Sequence, residues 1–255
     1  MAFVIYIIAG LGAGVGTGLA GLSAAAVISP MLITFLGFPA YEAVAIALAS
    51  DVLASAVSAY TYGKHKNLDI RNGLVMLGAV LVFTMVGSYI ASLLPNSAMG
   101  GFSVFMTFLL GVKFLLRPVM TTKEDQPQKS LRQRVLQSLL CGCLIGFVCG
   151  FIGAGGGMML LLILTGVLGY ELKTAVGTSV FIMTFTALTG AVSHVVIGGI
   201  PDWTALAVCV IATLVGARLS AVFANKADQK TLNRVTGAVL VVLGLAMILT
   251  QLLGK

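Results

Sequence analysis

A chain of 255 residues that is 59% hydrophobic and only 9% charged cannot clothe a soluble globule in polar surface, so its composition requires a membrane-embedded fold. The formal charge of +7 does not mark a nucleic-acid binder, because the basic residues sit in short gaps between apolar runs and form no separate basic domain. Cys141, Cys143, Cys149 and Cys209 all fall inside apolar segments and read as small buried hydrophobes, not as metal ligands or disulfides. The opening residues Met1 to Val4 have no basic flank, so a cleaved signal peptide is not expected.

In chain order, the first apolar stretch runs from about residue 3 to 36. That is too long for a single crossing of a hydrocarbon core about 30 Å thick, which needs roughly 20 helical residues. A glycine cluster interrupts it, and the spacing predicts two short helices joined at Gly21 to Ala24. Single crossings are expected near 41–62, 71–93 and 98–117, followed by a hydrophilic segment from Thr121 to Arg134 with no core to bury. The stretch 135–169 is again too long and again interrupted, at Gly153 to Gly157, and crossings near 172–197, 203–223 and 232–252 complete the chain. The second arms of the two broken stretches, about 15 residues each, would reach roughly 22 Å and end inside the membrane as helical hairpins. Whether the hairpins cross fully or re-enter stays open.

The two broken stretches are copies. Gly10, Gly14, Gly18 and Gly21 recur as Gly142, Gly146, Gly150 and Gly153, and the frame continues through Leu36/Leu168, Gly37/Gly169, Ala43/Ala175 and Val44/Val176 at an offset of 132 residues. Lys and Arg concentrate on the cytoplasmic side of membrane proteins. Treating each hairpin as entering and leaving on one side puts Lys64 to Arg71, Lys113 to Arg134, Lys173 and Arg218 to Arg234 inside, with only Lys255 outside. Both termini then lie outside, and the halves are inserted upside down relative to one another. The expected fold is an all-helical integral membrane protein of two inverted repeats, each with three full crossings plus a broken helix or hairpin. Residues 1–117 form the first repeat, 118–134 a cytoplasmic linker and 135–255 the second repeat.

Small-xxx-small spacing along Gly10, Gly14 and Gly18 lets helix backbones approach closely, which is a packing role. Gly16 to Gly21 also fits a dinucleotide fingerprint, but no strand precedes it and no soluble unit follows. Gly153 to Gly157 is different, because backbone exposed at membrane depth survives only where it is buried in protein or lines a cavity. There it would present unpaired N–H groups and the positive end of a helix dipole, a site for an oxyanion, although a plain hinge has the same sequence. Ionisable residues within spans are functional candidates. Asp51, near the middle of its span, reads as a proton or cation coupling group or as a structural carboxyl bonded to serine. His194 lies near a helix end, where it binds an anion when protonated or is simply solvated. Lys113 and Arg218 snorkel or draw anions inward. Glu42 and Glu171 begin helices and suit the dipole there. No paired metal set and no nucleophile with its base occurs in any span, so neither an enzyme nor a cofactor is expected.

Gly150 to Gly157 (Gly-Phe-Ile-Gly-Ala-Gly-Gly-Gly), Ala175 to Val180, His194 and Gly199 to Trp203 together resemble the second repeat of the sulfite exporter TauE/SafE family of membrane permeases. Gly18, Gly21, Pro30, Gly37 and Lys66 to Asp69 match the first repeat, so the likeness covers nearly the whole chain. The resemblance implies a transporter in a bacterial inner membrane, an exporter of small sulfur-containing or organic anions such as sulfite, sulfonates or sulfoacetate. A passive anion channel, or a carrier of a small carboxylate without sulfur, is the alternative. The chain departs from the pattern at Ser23 to Ala25, which replace the glycine triplet, and at Ile46-Ala47, where the Thr-Ser pair is expected. Substrate ligands are therefore expected to be lopsided: Gly153, Gly155, Gly156, Gly157, Thr178, Ser179 and His194 from the second repeat, opposed by Gly21 and Ser23, with Asp51 as coupling group. The expected partners are the anion, membrane lipid and a proton or sodium ion. A homodimer is left open.

Overall fold

A computed structural model of the protein describes residues 2–92, 108–109, 111–120, 131–152, 156–198 and 201–253, and every regular element among them is helical. The first half gives α1 (Ala2–Ala20), α2 (Ala25–Leu36), α3 (Ala40–Lys64) and α4 (Ile70–Ser92), and residues 111–116 are also helical. The second half gives α5 (Leu131–Ile152), α6 (Gly156–Gly166), α7 (Leu172–Gly198), α8 (Trp203–Lys226) and α9 (Gln229–Leu253). Among the described residues, α1, α3, α7, α8 and α9 are long and apolar enough to cross a membrane. Phe3, Ile8, Met85, Leu219 and Val242 are all more than half exposed, a surface that suits hydrocarbon and not water.

The first interrupted stretch breaks after α1 as its glycines require, while residues 153–155 of the second lie outside the described residues. The second arms are shorter than expected, with 12 residues in α2, which starts only at Ala25, and 11 in α6, which ends at Gly166. Their far ends are built alike. Gly37 and Gly169 adopt left-handed conformations, with φ of 68° and 71°, that only glycine takes without strain. The next amides, Phe38 N–H and Tyr170 N–H, then bond back to Leu32 O at 3.3 Å and Leu164 O at 2.8 Å. The two turns are thus the same structure, 132 residues apart. At the linker, α5 already begins at Leu131, inside the segment expected to be unstructured, because Leu131 to Leu136 is rich in good helix formers. Most of the crossing expected at 98–117 lies outside the described residues.

Reciprocal packing ties the halves together. Gly10 lies against Cys209 and Ala212, Gly14 against Thr213 and Ala217, and Gly18 against Ala217, Ser220 and Ala221, so α1 runs parallel to α8 in close contact. In the second half Gly142 meets Met76 and Ala79, and Gly146 meets Val80 and Phe83, so α5 runs parallel to α4. Each glycine ladder therefore packs on a helix of the other half, the close approach that the spacing predicts. Between them α3 and α7 cross the core in opposite directions, with Leu48 beside Gly190 and Tyr62 beside Gly177.

Candidate functional site

The break between α1 and α2 is where the halves meet. Gly21 closes α1 with φ of 62°, its amide bonding to Thr17 O at 2.9 Å while Leu22 N–H reaches Gly16 O at 3.2 Å. The buried Thr17 hydroxyl fastens the turn by donating to Leu22 O at 2.7 Å. A side chain on Gly21 would run into the Ser179 hydroxyl of α7, and one on Gly157 would run into the Gly21 carbonyl and the Met183 sulfur. Gly21 thus lies against both Gly157 and Ser179, all three expected as site residues.

Asp51 is 1% exposed near the middle of α3 and holds the start of α2. Its Oδ2 accepts from Ser23 Oγ at 2.8 Å and from Ala24 N–H at 3.1 Å, and its Oδ1 accepts from Ser55 Oγ at 2.9 Å. Carboxylate and helix N-terminus suit one another, because the first amides of a helix lack partners and carry the positive end of its dipole. The serine-bonded carboxyl foreseen for Asp51 is therefore present. At this first tip Gly21, Leu22 and Ala24 N–H all have acceptors, whereas the bare amides were expected at the second tip, where residues 153–155 lie outside the described residues.

Thr178 and Ser179 are adjacent yet serve different places, because neighbours on a helix point about 100° apart. Ser179 is fully buried, donates to Val176 O at 2.8 Å and faces Gly21. Thr178 turns to the α3–α4 loop, where its hydroxyl accepts from Asp69 N–H at 3.2 Å. Asp69 also caps α4 through Asn72 N–H at 3.1 Å, and its Oδ2 accepts from Tyr170 OH at 2.7 Å and from Asn72 Nδ2 at 2.6 Å. Beside this cluster Asn67 donates to Asn225 Oδ1 at 2.7 Å, and the Lys173 ammonium donates to Asn225 O and Ala227 O at 3.0 and 2.7 Å. This end of the molecule is thus closed by polar bonds between the halves. At the opposite end Glu42 Oε1 accepts from Asp202 N–H at 2.8 Å, while Asp202 caps α8 through Ala205 N–H.

Of the remaining expected residues, Gly156 opens α6 and Ser23 sits on Asp51, while Gly153 and Gly155 lie outside the described residues. His194 falls within α7, but its side chain lies outside the described set. Arg218 is exposed, and the Lys113 ammonium lies 5.9 Å from the Phe114 ring centroid. Sequence reasoning missed Ser55, Asn72 and Tyr170. Ser55 was within reach of the helical period, four residues from Asp51, and Asn72 within that of the capping spacing from Asp69. Nothing local announces Tyr170, 101 residues from Asp69.

The sulfite exporter TauE/SafE family description matches residues 6–247. The chain belongs to this family. It is similar to the probable membrane transporter protein YunE of Bacillus subtilis, with 27% identity over 97% of this chain and 98% of that protein. YdhB of the same organism, also named a probable membrane transporter protein, is 23% identical over 83% of this chain and 86% of its own length. A probable membrane transporter protein of Methanocaldococcus jannaschii is 25% identical over 96% of this chain and 95% of its own. No solved structure matches the chain significantly. With several apolar helices of crossing length, this member of the family is a multi-pass membrane protein of the transporter class.

Proposed function

We propose that the protein is a secondary transporter that exports a small sulfur-containing or organic anion, of the sulfite, sulfonate or sulfoacetate class, by alternating access between two oppositely inserted halves. The halves are residues 1–117 and 135–255, joined by a cytoplasmic linker at 118–134, in a bacterial inner membrane with both termini outside. The opposed direction of α3 and α7, and the parallel pairing of each ladder helix with a helix of the other half, support this arrangement.

The contact of Gly21 with Gly157 and with Ser179 carries the reading, since it puts the end of α1 and the start of α6, from different halves, together in the core. The anion is held by the amides of Gly153, Gly155, Gly156 and Gly157 with the hydroxyls of Thr178 and Ser179. Gly21 and Ser23 oppose them, and His194 lies toward the outer end. Backbone amides and hydroxyls bind an oxyanion without leaving a bare cation in lipid. The two tips are unequal. Asp51 occupies the start of α2, whereas the residue 132 positions on is Met183, which brings no charge to the start of α6. The substrate anion therefore belongs nearer the second tip, and Asp51 is the group through which a proton couples to its movement.

Thermal stabilisation of purified protein by sulfite, thiosulfate, sulfonates and carboxylates identifies the ligand, and flux of that ligand in reconstituted vesicles tests the site. Gly156→Leu should insert normally and abolish flux. Wild-type flux in that variant refutes the tip as the binding site, and flux that never saturates refutes a carrier mechanism.

A further inference from the structure

Asp69 and Asp202 hold corresponding places in the two halves. Each caps the helix that follows it, α4 through Asn72 N–H at 3.1 Å and α8 through Ala205 N–H at 2.7 Å. Each also gives its own backbone N–H to a long core helix of the other half: Asp69 to the Thr178 hydroxyl of α7 at 3.2 Å, and Asp202 to Glu42 Oε1 of α3 at 2.8 Å. At either end of the molecule, a capping aspartate of one half thus hangs its amide on a side chain of the other.

The two ends are not equal, because a phenol is added at one of them. Tyr170 OH donates to Asp69 Oδ2 at 2.7 Å and accepts from Asn72 Nδ2 at 3.2 Å. The residue 132 positions earlier is Phe38, which has no hydroxyl and meets Tyr6 edge-on with ring centroids 6.3 Å apart. Tyr170 is also held ready for its bond. It follows the left-handed turn at Gly169, its amide is tied to Leu164 O at 2.8 Å, and the residue is buried. A phenol already fixed in place loses little further freedom when it bonds, and a bond to a carboxylate is stronger than one between neutral groups. The seam beside it is tight: a side chain on Gly177 would run into the Asn67 carbonyl, and one on Gly73 would crowd the Phe181 ring. Parting residues 67–72 from residues 170–178 must break the Tyr170 bond, whereas Phe38 offers no such bond at the Glu42 end.

Resting on the reading of alternating access between the halves, we propose that Tyr170 and Asp69 are the latch of a gate at their end of the molecule, weighting the carrier toward opening at the Glu42 end. The phenol stabilises only the arrangement in which it meets Asp69. Its removal therefore shifts the balance toward opening at the Asp69 end and, since a carrier does not open both ends at once, away from opening at the other.

Hydrogen exchange of the full chain in lipid nanodiscs, read at single residues by mass spectrometry, follows both ends together and needs no substrate. The Asp69 and Asp202 amides make the bonds that opening breaks, so their exchange rates report how often each end opens. Tyr170→Phe should raise the rate at the Asp69 amide about tenfold, the loss of one hydrogen bond to a carboxylate, and leave the Asp202 amide unchanged or slower. Gly14→Ala, which weakens the contact of α1 with α8 instead, should not single out the Asp69 amide. An equal rise there in Gly14→Ala would make the effect one of general loosening and overturn the latch. An Asp69 amide that exchanges as slowly without the phenol overturns the latch while leaving alternating opening in place. Equal rises at both amides in Tyr170→Phe overturn alternating opening itself, and the gate with it.

Discussion

Replacing Gly21 with alanine tests the joint between the halves at its tightest point. Two effects add. An alanine held at a φ of 62° is strained by about 1–2 kcal/mol. Its methyl would also overlap the Ser179 hydroxyl, with Ser179 Cβ at 3.4 Å and Val180 Cγ1 at 3.7 Å closing the other sides. To clear the methyl, Ser179 must rotate away from Val176 O and lose a hydrogen bond contributing about 1 kcal/mol. The variant should therefore lose about 2–3 kcal/mol in an SDS titration from mixed micelles followed by circular dichroism. Ser179→Ala alone should lose about 1 kcal/mol, yet the double variant should be no less stable than Gly21→Ala, sub-additive by about 1 kcal/mol, because one hydroxyl is lost in both. Full additivity would show that the two residues do not touch, and a neutral Gly21→Ala would remove the left-handed turn as well.

Four further outcomes are expected. Gly14→Ala pushes a methyl into the Thr213 carbonyl and the Ala217 amide of α8 and should lose about 2–3 kcal/mol. Gly78→Ala, helical with nothing within 4 Å of the added carbon, should gain about 0.5–1 kcal/mol, so equal effects in the same titration would contradict the ladder's packing role. Tyr170→Phe removes the 2.7 Å bond to Asp69 and should lose about 1–2 kcal/mol, much less when Asn72→Ala has already disrupted the cluster; strict independence in a double-mutant cycle would dissolve the proposed closure. Asp51→Asn should flatten the pH profile of transport in vesicles, and an unaltered profile rules out proton coupling through that carboxyl.

The sequence alone determined the membrane class, the duplication and the places where α1 and α2 stop. Each of these is a local property. Apolar runs have a length, Gly10, Gly14 and Gly18 have a spacing, and Gly37 and Gly169 end their helices through a backbone conformation that needs no distant partner. The same locality explains what was misjudged. The first arm came out shorter because α2 starts only at Ala25, beyond the Gly21 turn, the second because α6 already ends at Gly166, and α5 started earlier because helix formers extend into the polar segment.

Only the tertiary structure decided which surfaces the ladders cover, since a glycine stripe specifies close approach but not the neighbour: α1 lies on α8 and α5 on α4. It also separated Thr178 from Ser179, joined Asp69 to Tyr170 and seated the Asp51 carboxylate on Ser23 and Ala24, 28 and 27 residues away. Those bonds depend on how helices from both halves stack, and a buried carboxylate takes whichever donors that stacking delivers. At the first tip it is the protein's own acid that takes up the Ala24 amide at the start of α2.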